Sequence, residues 1–155
     1  MHVLIWQWVD LFQLVLAVVL GFAVGLERAI HDKPAGVTTI GIVTLSATLL
    51  CQISLKLPSL SSSGDGDGTR LAAAVITGIG FLGAGAIMRQ DKHVEGVTTA
   101  ATIWVMSAVG IGLGAGYYVP AVFTVLLVLF GFWLKKYTDR LADWIRKRRG
   151  LPPRH

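Results

Sequence analysis

Between Leu71 and Gly116 two apolar stretches, 71–88 and 97–115, flank a short charged turn. Glycine runs through both: Gly78, Gly80, Gly83 and Gly85 in the first, Gly110, Gly112 and Gly114 in the second. Neither stretch carries an ionisable side chain. In a water-soluble helix each such glycine costs about 1 kcal/mol relative to Ala. In a bilayer, helix association gains nothing from removing apolar surface from water. Small residues there let backbones approach, and packing holds the helices together. The pattern points to a membrane bundle.

Five stretches, at 9–26, 37–57, 71–88, 97–115 and 117–134, each approach the ~20 residues that cross ~30 Å of hydrocarbon. Charged residues make up 15% of the chain, against about a quarter in ordinary soluble domains. The segment before the first stretch, MHVLIWQWVD, lacks the positive start of a signal peptide, and Gly21 and Gly25 fit helix packing better than a cleavage site. The expected fold is an all-α membrane protein with five transmembrane helices. Cys51, inside the second stretch, reads as a buried, inert thiol.

The charges orient the helices. The N-terminus and the turn before Tyr117 have no Lys or Arg; the turn residues are Arg28 and Lys33, then Lys56 and Arg70, then Arg89 and Lys92. Placing the tail in the cytoplasm leaves only Lys56 and Arg70, of 14 basic residues, outside. The positive-inside rule thus favours N-terminus out and C-terminus in. Trp6, Trp8, Tyr117 and Tyr118 then mark the outer interface, and Trp133 and Tyr137 the inner one. The net charge of +5 accumulates after residue 134, which argues for a membrane surface rather than nucleic acid as its partner. Two domains are expected: a transmembrane part, 1–134, and a basic cytoplasmic tail, 135–155. In the tail Tyr137, Leu141, Trp144 and Ile145 share one face at helical spacing. Such a helix can lie on anionic lipid, or serve simply as a positive-inside anchor.

Gly36-Val37-Thr38-Thr39 recurs 60 residues later as Gly96-Val97-Thr98-Thr99, and Gly25 pairs with Gly85 at the same offset. This points to a parallel duplication of helices 1–2 and 3–4, with chance similarity of common membrane residues as the competitor. Both copies fall at helix N-termini. Unpaired N–H groups and the positive dipole end there favour an anion at Gly36, Thr38, Thr39, Gly96, Thr98 and Thr99. The simpler reading is that Thr caps each helix and Gly closes each turn.

Other matches mislead. Gly78-Ile-Gly80-Phe-Leu-Gly83 fits a dinucleotide fingerprint but has no strand before it. Gly78, Gly80, Gly83 and Gly85 read instead as a helix-packing face. The later glycines, from Gly110 on, read as packing residues or as a loosened helix end. Asp65-Gly-Asp67-Gly lacks the rest of a calcium loop. No catalytic motif occurs, and His2, His31, His93 and His155 are scattered among ends and turns. An enzyme is not expected, nor a cofactor, and no metal-ligand set can be named.

Glu27 and Arg28 are the strongest functional candidates. Glu27 closes an apolar run from Leu11 to Leu26 that only Gln13 interrupts. A carboxylate at that depth needs a partner or water. Arg28, Arg89 and the two GVTT helix ends are candidates; alternatively both side chains snorkel to the interface. Asp10, at the other end of the same helix, reads as a cap.

From about Leu14 to Tyr118 the chain resembles the MgtC/SapB family of bacterial membrane proteins. The resemblance rests on Gly25-Leu26-Glu27-Arg28, Lys33-Pro34-Ala35-Gly36, Asp67-Gly68-Thr69-Arg70, Gly78-Ile79-Gly80-Phe81-Leu82-Gly83-Ala84-Gly85 and Gly96-Val97-Thr98-Thr99-Ala100-Ala101-Thr102-Ile103-Trp104. It implies a multi-pass protein of the bacterial inner membrane, linked to growth in low magnesium and, in intracellular pathogens, to virulence. It also implies restraint of a membrane ATP synthase, and functional charges at Glu27, Arg28, Asp67 and Arg70. Relatives usually show Leu-Arg-Thr-His where this chain has Val37-Thr38-Thr39-Ile40, and often Gln at Ala74. Longer members add a folded cytoplasmic domain, so a short form is expected here.

Two functions follow as expectations. One is regulation or binding of another membrane protein, ATP synthase among the candidates, alongside lipid contacts and self-association. The other is transport of Mg²⁺ or another ion. Transporters place polar ligands near the bilayer midplane. The interiors of stretches two to five hold no charged side chain, only groups such as Ser46, Thr77, Thr102 and Ser107.

Overall fold

The computed structural model describes residues 8–56, 69–90 and 93–149. Five helices follow in order: α1 (Trp8–Ile30), α2 (Val37–Lys56), α3 (Thr69–Gly85), α4 (Val97–Gly114) and α5 (Tyr118–Arg148). Between α3 and α4 lies an antiparallel hairpin of β1 (Met88–Gln90) and β2 (His93–Glu95), in which Met88 pairs with Glu95 and Gln90 with His93. Only a charged turn was expected there, because three-residue strands are too short to show a period of two. The chain divides into two compact units between Val125 and Leu126; α5 begins in the first and ends in the second.

Among the described residues, four helical stretches are long and apolar enough to cross a membrane: Trp8–Ile30, Val37–Lys56, Val97–Gly114 and Tyr118–Lys135. At the usual rise per residue they measure roughly 27–35 Å. The third expected stretch, 71–88, is shorter in the structure. Its helix, α3, ends at Gly85, three residues before the expected end. The helix closes there because the Ala86 N–H is shared by the Leu82 and Gly83 carbonyls, and Met88 already belongs to β1.

α1 is built inside out relative to a helix of a soluble protein. Trp8, Phe12, Val15, Val19, Phe22, Leu26 and Ile30 are exposed, while Gln13, Ala17, Gly21, Val24, Gly25 and Arg28 face the bundle. Each set repeats at helical spacing. Apart from Val24, large apolar side chains turn outward and small or polar ones inward, which is favourable when the surroundings are lipid.

α2 is the centre, packed against α1 and α4, with α3 resting on both α2 and α4. The close approaches are made by glycine. A Cβ on Gly21 would lie 2.9 Å from Gly41 Cα, and one on Gly25 would lie 2.5 Å from Val37 Cα. On the other side of α2, a Cβ on Gly110 would lie 2.8 Å from Ala47 Cβ, and one on Gly114 2.6 Å from the Thr48 carbonyl oxygen. Thr44 and Thr48 fit this interface by donating their hydroxyls to Ile40 and Thr44 carbonyls of their own helix. Cys51 is a free, buried thiol beside Gly114.

The glycine block of α3 behaves otherwise, and the expectation of a packing face is corrected within the chain. A Cβ on Gly78, Gly80 or Gly85 would meet nothing within 4 Å, and one on Gly83 would make ordinary contact with Ala100 Cβ at 3.7 Å. The physical reason is the position of α3. It turns little of its surface to the bundle, with Ile79 and Gly83 buried and Phe81 82% exposed.

Candidate functional site

Successive residues on a helix point about 100° apart, and this separates the charged pair at the end of α1. Arg28 turns into the bundle and is 4% exposed. Its Nη2 donates to Thr99 Oγ1 at 2.5 Å, and Thr99 is itself buried in the first turn of α4. Glu27 stays at the edge. His31 Nδ1 lies 3.2 Å from the Glu27 carboxylate and 2.9 Å from the Glu27 carbonyl oxygen. The turn that follows is tight. Lys33 N–H donates to the Arg28 carbonyl, and Asp32 and Ala35 take left-handed backbone angles.

Thr99 belongs to the second GVTT copy, so the structure joins two motifs that lie 71 residues apart. The hydroxyl is not a cap. α4 opens on Gly96, at φ 85°, with no side-chain cap. A Cβ on Gly96 would overlap the Ala86 carbonyl, so only glycine closes this turn without strain. The Gly36 and Gly96 carbonyls accept from Ile40 and Ala100, the first bonds of α2 and α4. Thr38, Thr39 and Thr98 are exposed. The arrangement sets a guanidinium beside the positive end of a helix, an electropositive locus at this end of the bundle. Of the other charged positions, Asp67 lies outside the described residues. Arg70 is placed in the first turn of α3, and its side chain and that of Arg89 lie outside the description.

The opposite end of the bundle holds a polar cluster that the sequence reading missed. Gln13 Nε2 donates to the Tyr118 hydroxyl at 2.8 Å. Gln52 Nε2 donates to Gln13 Oε1 at 2.6 Å and to the Asp10 carbonyl at 3.0 Å. Asp10, expected as a cap, is paired with Lys56 at 2.7 Å. The Asp10 carbonyl can only accept, so it fixes which end of the Gln52 amide faces it. Gln52 Oε1 is then buried with no hydrogen-bond partner. The available signal was two amides, Gln13 and Gln52, alone among apolar neighbours in antiparallel helices. Among the described residues, no three His, Cys, Asp or Glu side chains gather as a metal site.

Comparison with known proteins identifies the family. The profile of the MgtC family matches residues 14–141. Protein SrpB of Synechococcus elongatus is 34% identical over 95% of this chain and 91% of its own length. Protein MgtC of Salmonella typhimurium is 36% identical over 77% of this chain and 49% of its own. The putative magnesium transporter YhiD of Escherichia coli is 35% identical over 77% of this chain and 57% of its own. The chain thus spans about half the length of MgtC and YhiD. No solved structure matches it. The chain belongs to the MgtC family, and it is a membrane protein.

Proposed function

We propose that this chain serves bacterial adaptation to low magnesium from the inner membrane, by binding and regulating another membrane protein, with ATP synthase the first candidate. In this reading α3 is a fifth crossing. The N-terminus lies outside, and the Arg28–Thr99 end of the bundle faces the cytoplasm. Helices α1–α2 and α3–α4 descend from one duplicated unit, which accords with α2 starting at Val37 and α4 at Val97.

The observation that carries the reading is how the bundle is closed. Its interior interfaces are glycine against backbone, at Gly21, Gly25, Gly110 and Gly114. The threonine hydroxyls between α2 and α4 are turned onto their own helix. Backbones in contact leave little width for an ion path, while the glycine block of α3 remains open on the surface. Arg28 and Glu27 would then act at the cytoplasmic end, Arg28 by holding α1 to α4 and Glu27 at the accessible edge.

Growth in low magnesium tests this. Arg28→Ala and Glu27→Ala are each expected to abolish complementation by the full chain while it still accumulates in the membrane. Normal growth of both variants would remove the pair from the site.

Transport of Mg²⁺ or another ion is the second reading, and Gln52 favours it. A buried amide oxygen with no partner is the type of ligand that a cation or an ordered water takes.

A further inference from the structure

The carboxy-terminal part of α5 carries an apolar stripe past the end of the span. The span ends at Lys135 and the helix continues to Arg148. Tyr137, Trp144 and Ile145 lie on this extension and are 49%, 51% and 39% exposed. Lipid around the span accounts for exposed apolar side chains before Lys135, but not for these. By helical spacing, Leu141 falls on the same face. The positions of Arg140 and Lys147 flank that face on one side and that of Arg149 on the other, while Asp139, Asp143 and Arg146 fall opposite, next to Lys135 and Lys136.

We infer that residues 136–149 dock on the anionic surface of the membrane in which the chain sits, with the Tyr137–Trp144–Ile145 face in the headgroup layer. The distribution of charge selects this occupant. Cationic positions border the apolar face, where acidic headgroups would lie, and both acidic positions fall on the far side. A second copy of the same segment would bring one set of cations against another. Arg148 already joins the two parts of the surface, its guanidinium 4.2 Å from the centre of the Trp144 ring. Trp133 and Tyr137, with ring centroids 4.6 Å apart, mark the boundary at which aromatic residues collect.

α5 runs unbroken from Tyr118 to Arg148, so docking requires it to bend past Lys135. Thr138 donates its hydroxyl to the Lys135 carbonyl at 2.9 Å, a contact that competes with the helix ladder and bends helices. Docking is independent of whether the bundle binds a partner or moves an ion.

The test places a spin label at Ile145→Cys, in a Cys51→Ala background of the full chain, in lipid nanodiscs. Relaxation by oxygen and by a water-soluble nickel complex reports whether the label sits in lipid or water. Discs containing phosphatidylglycerol should shelter the label from nickel. Discs of phosphatidylcholine alone, or high salt, should expose it. Arg140→Gln, Lys147→Gln and Arg149→Gln together should lower the docked-to-free ratio about tenfold or more. These substitutions lie outside the compact unit that ends at Val125, so that unit's unfolding transition should not move. A label in water on anionic discs would overturn the inference. So would equal protection in neutral discs, or protection that grows with protein density as self-association requires.

Discussion

The two GVTT-bearing halves of the bundle open their second helices 60 residues apart, yet they use glycine in opposite ways. In the α1–α2 half, Gly21 and Gly25 bring two backbones together. In the α3–α4 half, Gly78, Gly80 and Gly85 meet nothing, and α4 instead turns Gly110 and Gly114 onto α2. The first half spends its small residues on internal cohesion. The second leaves one glycine-rich helix open and contributes the other to the centre. A glycine pattern therefore marks where a close approach is allowed; the neighbouring helix decides whether one occurs.

Paired substitutions at the 60-residue offset can break this comparison. The largest contrast is expected between Gly25→Leu and Gly85→Leu. The first forces a side chain into the Val37 backbone, and the second adds one to open space. Gly25→Leu should destabilise the purified chain by about 3 kcal/mol or more, and Gly85→Leu by well under 1, read from thermal unfolding in detergent. Equal losses would mean that α3 is packed as tightly as α1.

Next come Gly36→Ala and Gly96→Ala. A methyl on Gly36 makes ordinary contact with Ala29, 3.7 Å away, whereas Gly96 combines φ 85° with overlap of the Ala86 carbonyl. The expected cost is roughly 2 kcal/mol at Gly96 and a few tenths at Gly36. A mild Gly96→Ala would show that the turn between β2 and α4 is looser than described.

The smallest contrast sharpens the site. Thr99→Val removes one acceptor of buried Arg28, while Thr39→Val changes an exposed side chain. Losses of about 1–3 kcal/mol and under 0.5 kcal/mol are expected, respectively. If the two variants melt together, the Arg28–Thr99 bond contributes nothing to the bundle.

Much of this was legible in the sequence, for identifiable reasons. Apolar run length is a one-dimensional property, and the ends of α1, α2, α4 and the span of α5 fall within a few residues of where charge and glycine placed them. The candidacy of Glu27 and Arg28 was legible from depth alone. Their separation was not. Adjacent residues point apart on a helix, and which one turns inward depends on where α4 packs. The Gln13–Gln52 bond needs the antiparallel register of α1 and α2, which no local pattern encodes. The α3 block failed as a packing face because its sequence is the same whether the facing surface is a helix of this chain, another protein or lipid.

The most direct test of the proposed role is Mg²⁺ flux into liposomes that hold the purified, folded chain, with Glu27→Ala and Gln52→Leu measured beside it. A bundle closed by backbone contact and acting on a partner should give no more uptake than protein-free liposomes. Protein-dependent uptake that disappears in either variant would contradict that role and place the altered residue on an ion path.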